Sequence, residues 1–268
     1  MEEKYTHGHE EPVLRSHRWR TAANSAAYLL PHLSPGMALL DIGCGPGTIT
    51  TELAGLVAPG RVVGVDRADE VLADARSLAD AGEATGVEFR TGDVYHLDFE
   101  PHAFDIVHSH QMLQHLADPV AGLTEMRRVL RPNGLLAVRD ADYGAFVWYP
   151  DEHRLDRWRE LYTEVSARNG AEANAGRRIA AWVAAAGFGD LQVSSSTWTF
   201  ADEESRLWWT GSWADRCVAS SFAEQALEYG LSTRGELESL AEGWREWGTR
   251  PGGVFVVLHV EVLARPAR

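Results

Sequence analysis

The sequence predicts an α/β fold: a doubly wound, mostly parallel sheet carrying a helical cap. Three observations lead there. Short apolar runs alternate with amphipathic helical stretches from Met37 to Arg139. A cluster of glycines directly follows the first apolar run. After Asp140 the rhythm changes to long helical stretches rich in tryptophan, broken by two alternating segments. Regular strand–helix alternation is the signature of a parallel sheet covered on both faces. Such sheets bind ligands outside the carboxyl ends of their strands.

Taken in order, Pro12 to Leu33 reads as one helix, with Pro12 at its first turn and Leu14, Ala23, Ala26, Ala27 and Leu30 as apolar contacts. Met37 to Ile42 is the first strand. Thr48 to Val57 is a helix with Ile49, Leu53, Leu56 and Val57 on one side. Arg61 to Val65 is the second strand. Asp69 is expected to cap the next helix, whose Val71, Leu72, Ala75, Leu78 and Ala79 have the spacing of a buried stripe. Val87 to Arg90 and Phe104 to His108 are the third and fourth strands. Asp118-Pro119 opens a helix carrying Val120, Leu123, Met126, Val129 and Leu130, which Pro132-Asn133-Gly134 stops before a fifth strand, Leu135 to Arg139. Beyond it, Asp151 to Ala186 is helical, Asp190 to Phe200 alternates as a strand, Asp202 to Trp247 is again largely helical, and Val254 to Leu263 alternates. The expected organisation is residues 1–34 as an N-terminal lid and helix, 35–145 as a binding core, and 146–268 as the remaining strands with the cap.

Composition narrows the function classes. The 268 residues suit one α/β domain with an added cap, and 45% hydrophobic with 24% charged residues is an ordinary globular balance. The formal net charge is -14. A nucleic-acid binder needs a basic stripe to neutralise phosphates, and only short clusters such as Arg127-Arg128 and Arg177-Arg178 occur. The same acidity disfavours an anionic membrane surface. Cys44 and Cys217 are far apart, with no Cys-x-x-Cys or His spacing of a zinc site, so no metal is expected. Met1-Glu2-Glu3-Lys4 lacks the basic start and apolar run of a signal peptide, and no stretch is long and apolar enough to span a bilayer; a cytoplasmic location is expected.

The chemistry is written in four stretches. Leu39-Leu40-Asp41-Ile42-Gly43-Cys44-Gly45-Pro46-Gly47-Thr48 ends a strand and opens a helix. Glycines there allow a tight turn and bring backbone N–H groups close to a ligand. The dinucleotide-binding pattern Gly-x-Gly-x-x-Gly would need its third small residue at Thr48, whereas glycine falls one position earlier, at Gly47. This spacing disfavours a nicotinamide oxidoreductase. Asp66 ends the second strand, where a carboxylate can accept both ribose hydroxyls of an adenosine. Thr91-Gly92-Asp93-Val94 follows the third strand, and Phe104-Asp105-Ile106-Val107-His108-Ser109-His110-Gln111 makes up the fourth and its exit.

Together these stretches resemble class I S-adenosylmethionine-dependent methyltransferases, most nearly the small-molecule enzymes of quinone and secondary-metabolite biosynthesis. The resemblance is strong from Pro35 to Arg139, continues through Gln114-His115-Leu116-Ala117-Asp118-Pro119 and Leu130-Arg131-Pro132-Asn133-Gly134, and is weak elsewhere. It implies a seven-stranded sheet with one reversed strand and S-adenosylmethionine as cofactor. It implies that Asp41, Gly43, Cys44, Gly45 and Gly47 wrap the methionine part, that Asp66 with Arg67 meets the ribose, and that Asp93 and Val94 meet the adenine. It implies that Ser109, His110 and Gln111 lie beside the transferable methyl group. His110 is the catalytic candidate, expected to position the acceptor rather than to serve as an obligatory base; His115 is expected to be structural.

For the acceptor, the expected partner is a small, apolar or aromatic metabolite. Asp140, Asp142 and Tyr143 end the fifth strand and are candidates to face it. Trp148 and Trp209 are candidates among the cap tryptophans Trp148, Trp182, Trp208, Trp209, Trp213, Trp244 and Trp247, most of which should be core. Tyr5-Thr6-His7-Gly8-His9 is read as part of a mobile lid, with Tyr5 or His9 reaching the site, whose removal would leave stability nearly unchanged. An RNA or protein methyltransferase and a non-catalytic binder of an adenosine ligand are the rival functions.

Overall fold

A computed structural model describes residues 4–8, 10–82 and 86–267 of the chain. The sheet is built from strands β1 (Leu39–Ile42), β2 (Val62–Asp66), β3 (Val87–Thr91), β4 (Phe104–His110), β5 (Leu130–Ala141), β6 (Val147–Tyr149), β7 (Phe188–Phe200) and β8 (Val254–Pro266). They run in the order β3-β2-β1-β4-β5-β8-β6, with β7 along the other edge of β8. β1 to β5 are mutually parallel, and β8 is antiparallel to β5, β6 and β7. The one reversed strand is therefore β8. The three-residue β6, which the sequence reading lacked, prolongs the line of β5 along β8: Ala141 pairs with His259, and Val147 with Val256.

The side-chain period of two explains the double winding. Leu39, Val62, Ile106, Leu135, Ala137 and Leu263 point to one face and bury Leu53, Ala54 and Val57 of α3 (Thr48–Val57). Their neighbours Leu40, Val63, Val107, Leu136, Val138 and Val262 point to the other. There they meet Leu123, Met126 and Val129 of α5 (Pro119–Val129) and Ile179 and Val183 of α7 (Ile179–Ala185). On α4 (Asp69–Ala81), Leu72, Ala75 and Ala79 pack on Phe89 of β3.

Local chemistry corrects several boundaries. The single helix expected over 12–33 is two, α1 (Glu11–Arg18) and α2 (Ala22–Ser25), followed by a 3-10 turn at Leu30–His32. Thr21 restarts the helix: its hydroxyl accepts from Asn24 N at 3.1 Å while its own N–H donates to Asn24 Oδ1 at 2.9 Å. That reciprocal pair satisfies two otherwise orphaned donors and competes with a continuous helix. Ala68, not Asp69, caps α4, because the Asp69 carboxylate accepts from Thr91 Oγ1 at 3.0 Å instead. Leu78 lies outside the buried stripe, at 38% exposure. α5 ends at Val129, before the Pro132-Asn133-Gly134 stop, and Leu130 already pairs with Phe104.

The cap comprises α6 (His153–Arg168), α8 (Glu203–Arg216), α9 (Ser221–Glu228) and α10 (Arg234–Gly248). It has its own core. Trp158 meets Trp213 edge-on at 4.4 Å and Trp244 at 4.8 Å, and Phe200 stacks on Trp209 at 4.5 Å. The N-terminal residues pack into this layer: Thr6, His7 and Gly8 are buried, Tyr162 Oη is hydrogen-bonded to His7 Nε2 at 2.8 Å, and Gln225 Nε2 donates to Tyr5 O at 3.1 Å.

Candidate active site

The carboxyl ends of β1, β2, β3 and β4 open into one cavity of about 860 Å³. The chain after β1 turns through Gly43, Gly45 and Gly47, all at positive φ (72°, 52° and 76°), where a side chain would be strained. The glycines serve different purposes. An added Cβ at Gly45 would come no nearer than 4.0 Å to any neighbour, His17 Nδ1 being the first, so its absent side chain leaves room in the cavity. At Gly47 a Cβ would strike Ala75 at 2.8 Å and Phe89 at 2.9 Å; this residue seats α3 against α4 and does not line the cavity.

Asp41 holds the loop from below. Its carboxylate accepts from Thr50 Oγ1 at 2.5 Å and pairs with His108 Nδ1 at 2.7 Å, both buried. These bonds occupy it, so it shapes the turn even though it borders the cavity. Asp66 accepts from Gly45 N at 2.9 Å and from Ala68 N at 3.1 Å, which fixes the carboxylate at the cavity wall beside Arg67. Asp93, bonded by Tyr95 N at 3.0 Å, Val94 and Cys44 also line the wall.

At the opposite end lie His110 and Gln111. Gln111 has φ 51°, a strained conformation for a non-glycine residue, and its N–H donates to Arg139 O at 2.7 Å. Its side chain ties distant elements together: Oε1 accepts from Arg20 Nη2 at 2.6 Å, and Nε2 contacts His259 Nε2 at 2.7 Å. His110 is enclosed at 5% exposure, with Arg139 Nη1 3.4 Å from its Nδ1 and no partner at Nε2 among the described residues. Burial, then the positive charges of Arg139 and Arg20, hold its pKa well below the usual histidine value. It is a neutral imidazole at physiological pH, and Nδ1 facing a guanidinium leaves its proton on Nε2. Ser109, between the two histidines, is fully buried and does not line the cavity.

The remaining candidates separate cleanly. Tyr5 does reach the cavity, its ring edge-on to His115 at 4.7 Å; His9 lies outside the described residues. His115, expected to be structural, lines the cavity, and its Nδ1 has no partner among the described residues. Burial and Arg20 push its pKa down to about 3. Asp142 is committed to Arg177, accepting from Nε at 2.7 Å and Nη2 at 2.6 Å. Tyr143 stacks on Tyr162 at 4.1 Å, Trp148 on Phe255 at 5.6 Å, and Trp209 on Phe200. None of these lines the cavity, and neither does any tryptophan among the described residues. The cap rings are consumed by packing on each other. Asp140 is likewise outside, buried beneath Gln114 N at 3.2 Å, its pKa raised to about 7 by burial. Sequence reasoning missed His17, Arg20 and Lys4, which line the cavity from the N-terminal segment without any motif to mark them.

A doubly wound sheet with one reversed strand, a glycine loop after β1 and an aspartate ending β2 around one cavity defines a class I fold built for an adenosine-containing cofactor. The chain belongs to the methyltransferase family: a family profile described as a methyltransferase domain matches residues 33–187. It is 32% identical over 267 residues, 97% of this chain and 95% of the relative, to an uncharacterized methyltransferase of Schizosaccharomyces pombe. It is also 38% identical over 101 residues, 38% of this chain and 40% of the relative, to a ubiquinone biosynthesis O-methyltransferase of Cereibacter sphaeroides. The YcgJ protein of Bacillus subtilis shares the fold at 17% identity, TM-score 0.60, covering 90% of this chain and 97% of that one. So does a phosphoethanolamine N-methyltransferase of Haemonchus contortus in complex with S-adenosylhomocysteine, at 20% identity and TM-score 0.55, covering 88% of this chain and 50% of that one. The protein is a class I enzyme that uses S-adenosylmethionine, and the open space over Gly45 beside the Asp66 carboxylate fits that cofactor. No group of three or more metal-capable side chains, and no helix long and apolar enough to cross a membrane, occurs among the described residues.

Proposed function

We propose that the enzyme methylates a small-molecule acceptor inside this cavity. The observation that carries the reading is its size and lining. About 860 Å³ lies near the upper end of the roughly 300–1,000 Å³ of small-ligand sites, room for a cofactor and a modest acceptor together. The net charge of -14 counts against a nucleic-acid acceptor. The partial likeness to a quinone-pathway O-methyltransferase supports an aromatic or apolar acceptor.

In this reading Gly43, Cys44 and Gly45 present backbone to the methionine part, Asp66 takes the ribose hydroxyls, and Asp93 with Val94 flanks the adenine. The sulfonium supplies an already activated methyl group when bound. The chain's own task is then alignment, and holding two reactants in line provides much of the rate. Tyr5, Gln111 and His115 border the acceptor. His110 offers Nε2–H as a hydrogen-bond donor; a neutral ring with a strongly depressed pKa is a poor proton acceptor at neutral pH. Incubating the enzyme and S-adenosylmethionine with a panel of phenols, hydroxyquinones and amines, and following methylated product and S-adenosylhomocysteine by mass spectrometry, tests the reading. Turnover of a protein or RNA with no turnover across the panel would overturn it.

A further inference from the structure

Arg20 lies at the break between α1 and α2, where no cofactor motif reaches, yet it lines the cavity. Its Nη2 donates to Gln111 Oε1, its guanidinium lies 5.7 Å from the Trp198 ring centre, and its Nε is enclosed without a partner. No carboxylate among the described residues lies within salt-bridge distance of it, as far as 4.0 Å. The contrast with Arg139 is direct. That guanidinium, on β5, is paired with Glu261 Oε1 at 3.2 Å. A third cation, Arg216, is buried against the carbonyl of Pro12 at 3.3 Å and the Ser16 hydroxyl, again without a carboxylate. Of these two guanidiniums without acidic partners, Arg20 is the one that lines the cavity, in a strongly acidic chain.

A cation partly withdrawn from water, with an enclosed and unpartnered Nε, is costly unless an anion compensates it. The cost is visible in the surroundings. Burial brings the Arg20 pKa down to about 10, with Arg216 and Arg139 lowering it further against Tyr5 and Tyr143. His110, His115 and His259 are all held neutral in part by Arg20. A histidine is neutral or cationic and supplies no negative charge, and the nearby tyrosines are held as neutral phenols by burial. Planar guanidinium geometry matches a carboxylate or another oxyanion.

We propose that Arg20 is the receptor of a ligand oxyanion, with Gln111 fixing the guanidinium and His259 fixing Gln111. This rests on the small-molecule reading above. The acceptor delivers it, as a carboxylate or ionised hydroxyl; an oxyanion delivered by the cofactor's α-carboxylate instead would overturn the proposal.

Calorimetry on wild type, Arg20→Gln and Arg20→Lys separates the two sources. The probes are S-adenosylhomocysteine, 5′-methylthioadenosine, which lacks the amino-acid part, and benzoate against benzamide on the S-adenosylhomocysteine-loaded protein. An acceptor oxyanion predicts that benzoate binds the loaded wild type more tightly than benzamide. It also predicts that Arg20→Gln weakens benzoate by about ten- to a hundredfold while S-adenosylhomocysteine is unchanged. The same loss for S-adenosylhomocysteine alone, with 5′-methylthioadenosine unaffected, would place the oxyanion on the cofactor and overturn the proposal. Arg20→Lys, which keeps the charge, should recover part of the benzoate loss. If Arg20→Gln melts like wild type and binds S-adenosylhomocysteine equally well, and wild type shows no preference for benzoate, the proposal is wrong. If wild type binds no S-adenosylhomocysteine at all, the cofactor assignment fails instead.

Discussion

The two ends of the cavity are built on opposite plans. One end is a contiguous, acidic, glycine-rich wall: Gly43, Cys44, Gly45, Asp66 and Asp93 come from the first three strand exits, each a short step along the chain. The other is assembled from afar. Arg20 reaches Gln111 across 91 positions, Gln111 reaches His259 across 148, and Tyr5 meets His115. In the proposed reading the first end takes the cofactor and is fixed by backbone geometry. The second takes the acceptor, and side chains on otherwise unremarkable elements build it.

Four expectations sharpen the contrast. The largest effect should follow Gly45→Val. A branched side chain at φ 52° is strained, and it enters the space left for the cofactor. S-adenosylhomocysteine binding should fall by more than about a hundredfold, a loss above roughly 2.7 kcal/mol, with a modest fall in melting temperature. Equal binding in calorimetry would reduce the loop to a structural turn.

Asp66→Ala should come next, weakening S-adenosylhomocysteine by about 1–3 kcal/mol, the range for hydrogen bonds to a charged group. Because Asp66 also holds Gly45 N and Ala68 N, Asp66→Asn should recover part of the loss by keeping one oxygen acceptor. An unchanged dissociation constant in the folded alanine variant would exclude the ribose assignment.

The third concerns residues 1–11. As a free lid they could be removed without thermal cost, but Thr6, His7 and Gly8 are buried, and His7 bonds Tyr162 inside the cap. Their deletion should therefore lower the melting temperature of the cofactor-free protein. A loss of about 2 kcal/mol corresponds to roughly 4–8 °C for a chain of this size. A melting curve superposable on wild type would restore the loose-lid picture.

The smallest effect is expected at His110. His110→Gln keeps a polar group but no titratable one, so turnover should fall about tenfold, roughly 1.4 kcal/mol, with the pH–rate profile retaining its shape. The sign follows from the depressed pKa: burial and the neighbouring guanidiniums keep the ring neutral at pH values where an ordinary histidine would charge, so it contributes no acidic limb there for the substitution to remove. Loss of that limb with a drop on the order of a thousandfold would make His110 the base.

The sequence by itself determined the winding of the sheet and the cofactor wall. Both are local: a strand shows its faces by alternation, as Leu39-Leu40 and Val62-Val63 do, and a glycine loop declares itself by spacing. The caps of the first helices were less legible, because Thr21 and Asn24 act through a reciprocal pair that competes with continued helix. Only the tertiary structure decided which aromatic and charged residues remained available. Trp148, Trp209 and Tyr143 were indistinguishable in sequence from pocket-lining rings, but mutual packing consumed them. Asp142 was drawn off by Arg177. Arg20, marked by nothing along the chain, lines the cavity and is held there by Gln111, a residue 91 positions away. Periodicity records what a residue's neighbours in sequence require; whether a side chain is free to meet a ligand depends on partners that only folding brings near.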